Sequence, residues 1–451
     1  MIALAACVVA FAATFLAGKR SLATGLIVLL AVGYFYGILR ANLLTAFSHF
    51  IFDAGTVGLY LSQKWTSSDP AESRRLATLR WWLVALILWP CLLVLMPFQP
   101  LMVSLVGLRG NVFFLPMALL GARLRNADVH KVARGLALLN LAVFGFAIAE
   151  YFMGVPRFYP RSPVTEIIYR SSDVAVGANG VGGYFRIPAT FANAAAFGGA
   201  MVASLPFLIG LWTVSATRKG RILAVVGTVV ALLGVLMSAS RSNFLLGSVL
   251  ILVTLLKTRM KIGTRVVFVL ALAVVAWLTM SNTRLQRFKS LSDTSYVEER
   301  IAGSVNRGFF EVLFDYPLGN GLGSGGTSMP YFLEGQIRNP IAIENEYGRI
   351  LAEQSIIGLL LWIGFVGWFF SRGRVAFAPH PWTNTRRMVW CLNAFWLGTA
   401  WIGLGVLTSI PNSVTLLLGI GWTTTLAAAS ESKTVARLGS PRRTHSPVYA
   451  G

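Results

Sequence analysis

Apolar runs recur along this chain from one end to the other, and no other feature restricts its fold as much. About 20 consecutive apolar residues are enough for one helix to cross a bilayer. Inside the hydrocarbon core the backbone must bond to itself, which leaves little besides helices and closed barrels. The expected fold is an all-α polytopic integral membrane protein. Spans are expected at 1–18, 21–39, 44–62, 81–98, 111–121, 133–153, 191–213, 221–237, 242–257, 265–280, 355–371, 388–409 and 412–431, about 13 in all. Two of them stand out: 44–62 contains His49 and Asp53, and 111–121 is short. Short, interrupted spans are found as half-helices lining cavities. Met1 to Gly18 lacks a basic leading region and a clear cleavage site, so it is expected as a retained span. Only 12% of residues are charged, against about 25% in soluble proteins, and no separate soluble domain is expected.

The charge pattern sets an orientation. The chain carries a formal net charge of +22. On a soluble protein this would suggest nucleic acid; here the basic residues sit in short loops between spans, so no nucleic-acid partner is expected. Lys19-Arg20, Lys64 to Arg80, Arg123 to Arg134, Arg218 to Arg221, Lys257 to Arg265, Arg372 to Arg387 and the tail from Lys433 hold 25 of the 39 Lys and Arg. With every listed span present, all seven groups fall on one side, which the positive-inside rule makes cytoplasmic. The three cysteines, Cys7, Cys91 and Cys391, lie in apolar runs without metal-ligand or disulfide spacing.

One long segment is too polar for lipid: residues 281–354, with seven basic residues and nine of the seventeen acids. It divides the chain into a bundle at 1–280 with an outer loop at 154–190, the large outer loop at 281–354, and C-terminal spans at 355–431. A Ser/Pro/Arg-rich tail at 432–451 is expected to be disordered. Arg109, Arg186, Arg241, Arg300 and Arg307 all fall on the outer side, at or near the membrane surface. Ionisable groups at that depth mark sites, although a lone arginine at a helix end can also be a snorkelling anchor. Arginine forks onto phosphate bidentately and holds its charge. A lipid-linked diphosphate lies at this depth, and fixed guanidinium groups would stabilise it as a leaving group. A carboxylate or histidine would serve as base for the incoming hydroxyl. No metal site and no cofactor is expected.

The motifs bearing these arginines resemble the O-antigen polymerase/O-antigen ligase superfamily over roughly 180–370. Ser238-Ala-Ser-Arg-Ser-Asn243 is similar to its Ser-Arg element, and Arg186 to Asn193 to the stretch before an earlier span. Glu299-Arg300 followed by Phe310 to Gly323 resembles its arginine, short helix and Pro-x-Gly-x-Gly-x-Gly run. Glu344-Asn-Glu-Tyr347, followed by Leu351 to Gly358, resembles its closing motif, with Glu344 where the family has a histidine. The resemblance implies a glycosyltransferase-C-like architecture and transfer from an undecaprenyl-diphosphate-linked oligosaccharide at the periplasmic face of a bacterial inner membrane. Glu344, Arg300 and Arg241 would be catalytic; Arg186, Arg109, Arg307, Asn345 and Tyr347 would bind substrate. The implied partners are the lipid-linked oligosaccharide, membrane lipids and other polysaccharide-assembly proteins such as a chain-length regulator. A glutamate at position 344 favours polymerase over ligase or protein oligosaccharyltransferase. A flippase of lipid-linked oligosaccharide would also need arginines in a cavity.

Each residue also has a plainer reading. Asn345 is a good N-cap, and Glu344 would suit the start of the same helix. Arg300 could pair with the glutamates beside it. His49 and Asp53 are four apart, on one helical face, and could be a metal pair, a proton relay or a satisfied intramembrane polar pair. The glycine run 319–326 lacks the Lys-Ser/Thr of a phosphate loop and reads as a sharp turn.

Overall fold

The computed structural model describes residues 1–65, 70–172, 186–257, 294–326, 329–341, 343, 345–378, 382–401, 407 and 409–425, with Val266, Leu270 and Ala273. Among these, every regular element is helical. In chain order the principal helices are Ile2–Arg20 (α1), Leu22–Asn42 (α2), Ile51–Ser62 (α3), Pro70–Leu93 (α4), Leu101–Val112 (α5), Met117–Ala122 (α6) and Asn126–Met153 (α7). They continue with Ala194–Val214 (α8), Arg218–Met237 (α9), Arg241–Lys257 (α10), Thr294–Ala302 (α11), Glu346–Ser371 (α12), Thr383–Thr399 (α13) and Asn412–Thr424 (α14). With α5 and α6 taken as one segment, eight are long and apolar enough to cross a membrane: α1, α2, α4, α5–α6, α7, α8, α9 and α12. The chain is a multi-pass helical membrane protein.

Capping sets several starts. Ser21, Asn193, Thr217 and Asn345 each stand just before a helix, and each side chain accepts a bond from a backbone N–H of the first turn. Such caps satisfy donors that have no partner inside the helix.

Cross-links divide the helix ends into two groups. At one end Gln63 donates to the Gly18 carbonyl, and Arg123 donates to the carbonyls of Lys64 and Trp65 and to Glu72. Arg386 is buried there and caps α14 by donating to the carbonyls of Thr423 and Thr425, where the helix dipole favours a cation. These are basic-loop residues, so those loops share one end. At the opposite end Arg40 donates to Val164 O, Asn42 to Phe158 O, and Ile38 N to Thr190 O. Gln99 donates to Asn320 O, and Glu346 N to Ala400 O.

The structure changes two expectations. The short span 111–121 is the second half of Leu101–Ala122, which begins ten residues earlier and takes Arg109 inside. The span expected at 355–371 starts at Glu346, so the last nine residues of the presumed loop are buried helix, with a break at Ser355 (φ 64°, ψ −179°). Of the 13 expected spans, eight coincide with helical segments that meet the length and composition of a span among the described residues. α3, α10, α13 and α14 stand at four other expected positions, with 12, 17, 17 and 13 residues, shorter than any of the eight. The 265–280 span, apart from three isolated positions, and the 432–451 tail lie outside the described residues.

The glycine run is a packed element. Gly319, Gly321 and Gly323 take φ of 79°, 89° and 85°, a region that side chains disfavour. This bends the run into the bundle: a Cβ added at Gly107 of α5 would stand 2.3 Å from Gly323 N. Gly107→Ala is therefore expected to cost about 1–3 kcal/mol, read as a lower melting temperature in detergent. Gly145→Ala is the control, because nothing lies within 4 Å of its added Cβ; equal melting of the two variants would refute the packing claim.

Candidate functional site

The first arginine pair expected from sequence is carried on two segments that meet. Arg186 Nε donates to the Ser238 carbonyl at 3.0 Å, and Ile187 N to Met237 O. Ser238 ends α9, and Arg241 opens α10 three residues later. Both arginines are half-buried. Asn243 is buried, donating to Ala195 O and to Ser240 Oγ, which ties the turn to the start of α8.

The segment behind Arg186 is fixed from several sides. The buried Glu150 carboxylate accepts from Ala189 N at 2.8 Å through Oε2. Tyr159 donates to the carbonyls of Ala189 and Phe191 at 2.7 and 2.9 Å. Burial, with the Glu150 charge nearby, pushes the Tyr159 phenol well above its usual range, so it stays a donor. Thr190 donates to Tyr34 O. Ala189 sits at φ 51°, a strained value held by these bonds. Glu150 was not identified as a site residue from sequence; its only signal was an acid near the end of an apolar run. Tyr159, which with Phe158 beside Arg157 and Arg161 reads from sequence as a sugar-stacking residue or part of an interfacial aromatic belt, is instead buried and tied to the Arg186 segment.

The loop's closing motif forms a buried polar network. Arg349 donates to Glu346 Oε1 through Nε and Nη2 at 3.0 and 2.8 Å. Its Nη1 donates to Glu353 Oε2 at 2.8 Å and to Asn111 Oδ1 at 2.9 Å. Asn111 donates to the same Glu353 oxygen at 2.6 Å, and Gln354 donates to Asn111 Oδ1. Arg349, Glu346 and Glu353 are at most 2% exposed. The second Glu353 oxygen lies against Gly325, so the glycine run closes over this network.

A third polar group surrounds Arg109. Asp53 of α3 accepts from Arg109 Nε and Nη2 at 2.8 and 2.6 Å, a bidentate pair inside the helix bundle. Arg109, expected on the outer surface as a phosphate ligand, thus has its fork engaged by Asp53. Asp53 is thus paired with Arg109, and no His49–Asp53 bond is present among the described residues.

The remaining expected residues fall as follows. Asn345 is buried and caps α12, as the capping reading held. Tyr347 is buried and donates to Leu397 O of α13, which makes it a helix–helix tie. Glu344 lies outside the described residues. Arg300 is in α11 and Arg307 in the widened helical turn Gly303–Phe310 that follows; their side chains lie outside the described part. No family model matches the chain, and no curated protein matches it.

Proposed function

We propose that this protein is a membrane glycosyltransferase of the polymerase type, joining undecaprenyl-diphosphate-linked oligosaccharide repeat units at the periplasmic face of a bacterial inner membrane. In this reading the chain crosses about 13 times in a glycosyltransferase-C-like arrangement, with the basic loops cytoplasmic. The supporting observation is the contact of the Arg186 segment with the Ser238–Asn243 turn, at the end of the bundle opposite the basic loops. Two arginines, Arg186 and Arg241, are thereby carried on segments that touch. Paired guanidinium groups suit a diphosphate, whose charge grows as the glycan departs. Glu344 would take the proton of the attacking hydroxyl, one residue before the cap of α12.

Purified protein incubated with lipid-linked repeat units is expected to give a ladder of longer glycans on the lipid. A carrier that only flips its substrate would leave single units. Glu344→Gln keeps the shape and loses the basicity, so turnover should fall about 10²-fold with substrate still bound. Near-normal turnover would leave Glu344 a structural role only.

A further inference from the structure

His49 lies in the short turn Ala46–Phe50 that joins α2 to α3, and it is 92% buried, being 8% exposed. Its Nε2 has no hydrogen-bond partner among the described residues. A buried polar atom without a partner is costly, and native proteins seldom leave one idle. The groups around it are specific. Tyr36 donates to the His49 carbonyl at 3.1 Å, which fixes the turn against α2. The rings of Tyr331 and Phe332, from the large loop, stand over the imidazole at 6.0 and 5.9 Å between centroids. Arg40 stands one turn after Tyr36 on α2, and Arg109 is held by Asp53, four residues after His49, so the charges of both act on the imidazole. Asp53 offsets one of these charges and holds Arg109 through Nε and Nη2, leaving Nη1 with no protein bond among the described residues. The cluster therefore keeps one net positive charge. Its rim is apolar and exposed: Leu44, Phe47, Phe50 and Phe332 are each 38–53% exposed.

From this juxtaposition of a partnerless buried imidazole, two guanidinium groups and an exposed apolar rim, we infer that this cluster binds the phosphate headgroup of a membrane lipid. Arg40 and Arg109 face the oxyanion, His49 Nε2 hydrogen-bonds to it, and the lipid chain lies along Leu44, Phe47 and Phe50. Guanidinium and imidazole donors together match an oxyanion. The site is separate from the Arg186–Ser238 contact and does not depend on the glycosyl-transfer reading. Its phosphate could belong to a glycerophospholipid or to a polyprenyl phosphate.

The test is native mass spectrometry of the full-length protein released from detergent, titrated with dioleoylphosphatidylglycerol, undecaprenyl phosphate or dioleoylglycerol, which lacks phosphate. One phosphate lipid should be retained at least about tenfold more tightly than dioleoylglycerol, as expected for one charge-assisted bond. Tighter retention of undecaprenyl phosphate would mark a carrier-lipid site; tighter retention of phosphatidylglycerol would mark a phospholipid site. His49→Phe and Arg40→Gln should each lose the preference while melting like the parent. Two variants are used so that a folding defect in one leaves the other decisive. Arg387→Gln, whose side chain reaches Phe377 O at the opposite end, should keep it. The inference is overturned if dioleoylglycerol is retained equally, if both His49 and Arg40 variants keep the preference, or if Arg387→Gln loses it as they do.

Discussion

Arg349→Leu is expected to abolish accumulation of folded protein. The leucine fills much of the space but leaves Glu346 and Glu353 buried at 0% and 1% exposure without their cation. Removing one partner of a buried ion pair costs about 3–5 kcal/mol, because the remaining charge is uncompensated. Two carboxylates share this arginine, so the upper part of that range applies. A loss of this size is a large fraction of the total stability of an ordinary domain. The measurement is the monodisperse fraction on size exclusion and the melting temperature in detergent. Adding Glu346→Gln and Glu353→Gln to Arg349→Leu removes the stranded charges and should restore much of the loss, since neutral replacement of a whole buried pair is often tolerated. An Arg349→Leu protein that melts like the parent would show that the network contributes little.

The second large effect concerns activity. Arg241→Lys keeps the charge and the reach to the interface but loses the planar fork. If Arg241 holds a diphosphate, losing one charge-assisted bond of about 1.5–3 kcal/mol should slow glycan transfer roughly ten- to a hundredfold. Arg241→Ala should be slower still, because the charge goes as well. A snorkelling anchor would tolerate the lysine almost fully. Ladder formation from lipid-linked units is the readout, with melting temperature followed in parallel. The clamp reading fails if the lysine variant is as active as the parent, or if activity and stability fall together in both variants.

Most of the helical architecture was legible because lipid demands long apolar runs. The spans expected at 1–18, 21–39, 191–213 and 221–237 fall within about three residues of α1, α2, α8 and α9. The failures share one cause. Arg109 breaks the hydropathy of α5, and its compensation by Asp53 comes from another helix 56 residues away. Glu346, Arg349 and Glu353 read as a polar loop, and their main outside partner, Asn111, lies 238 residues before Arg349. A hydropathy window cannot register a charge cancelled by a distant residue. The spacing of Glu346, Arg349 and Glu353, three and four apart, did put them on one helical face and was the available signal. Two of the segments singled out from sequence, Arg186 and the Ser238–Asn243 turn, do meet. The roles expected of Asn345 and Tyr347 were not, because whether a polar group faces a ligand or a neighbouring helix depends on the packing.

The Asn111–Arg349–Glu353 network also bears on the order in which the chain is assembled. α5 leaves the ribosome long before α12, and the first turns of α12 carry three ionisable groups that lipid alone would exclude. Asn111 supplies bonds to two of those groups. The polar half of α12 therefore has no stable place in the bilayer until the amino-terminal helices have gathered to receive it. Insertion of α12 is in effect a docking reaction onto a finished template, and a lesion in α5 would surface as a defect in the biogenesis of a segment synthesised more than 200 residues later.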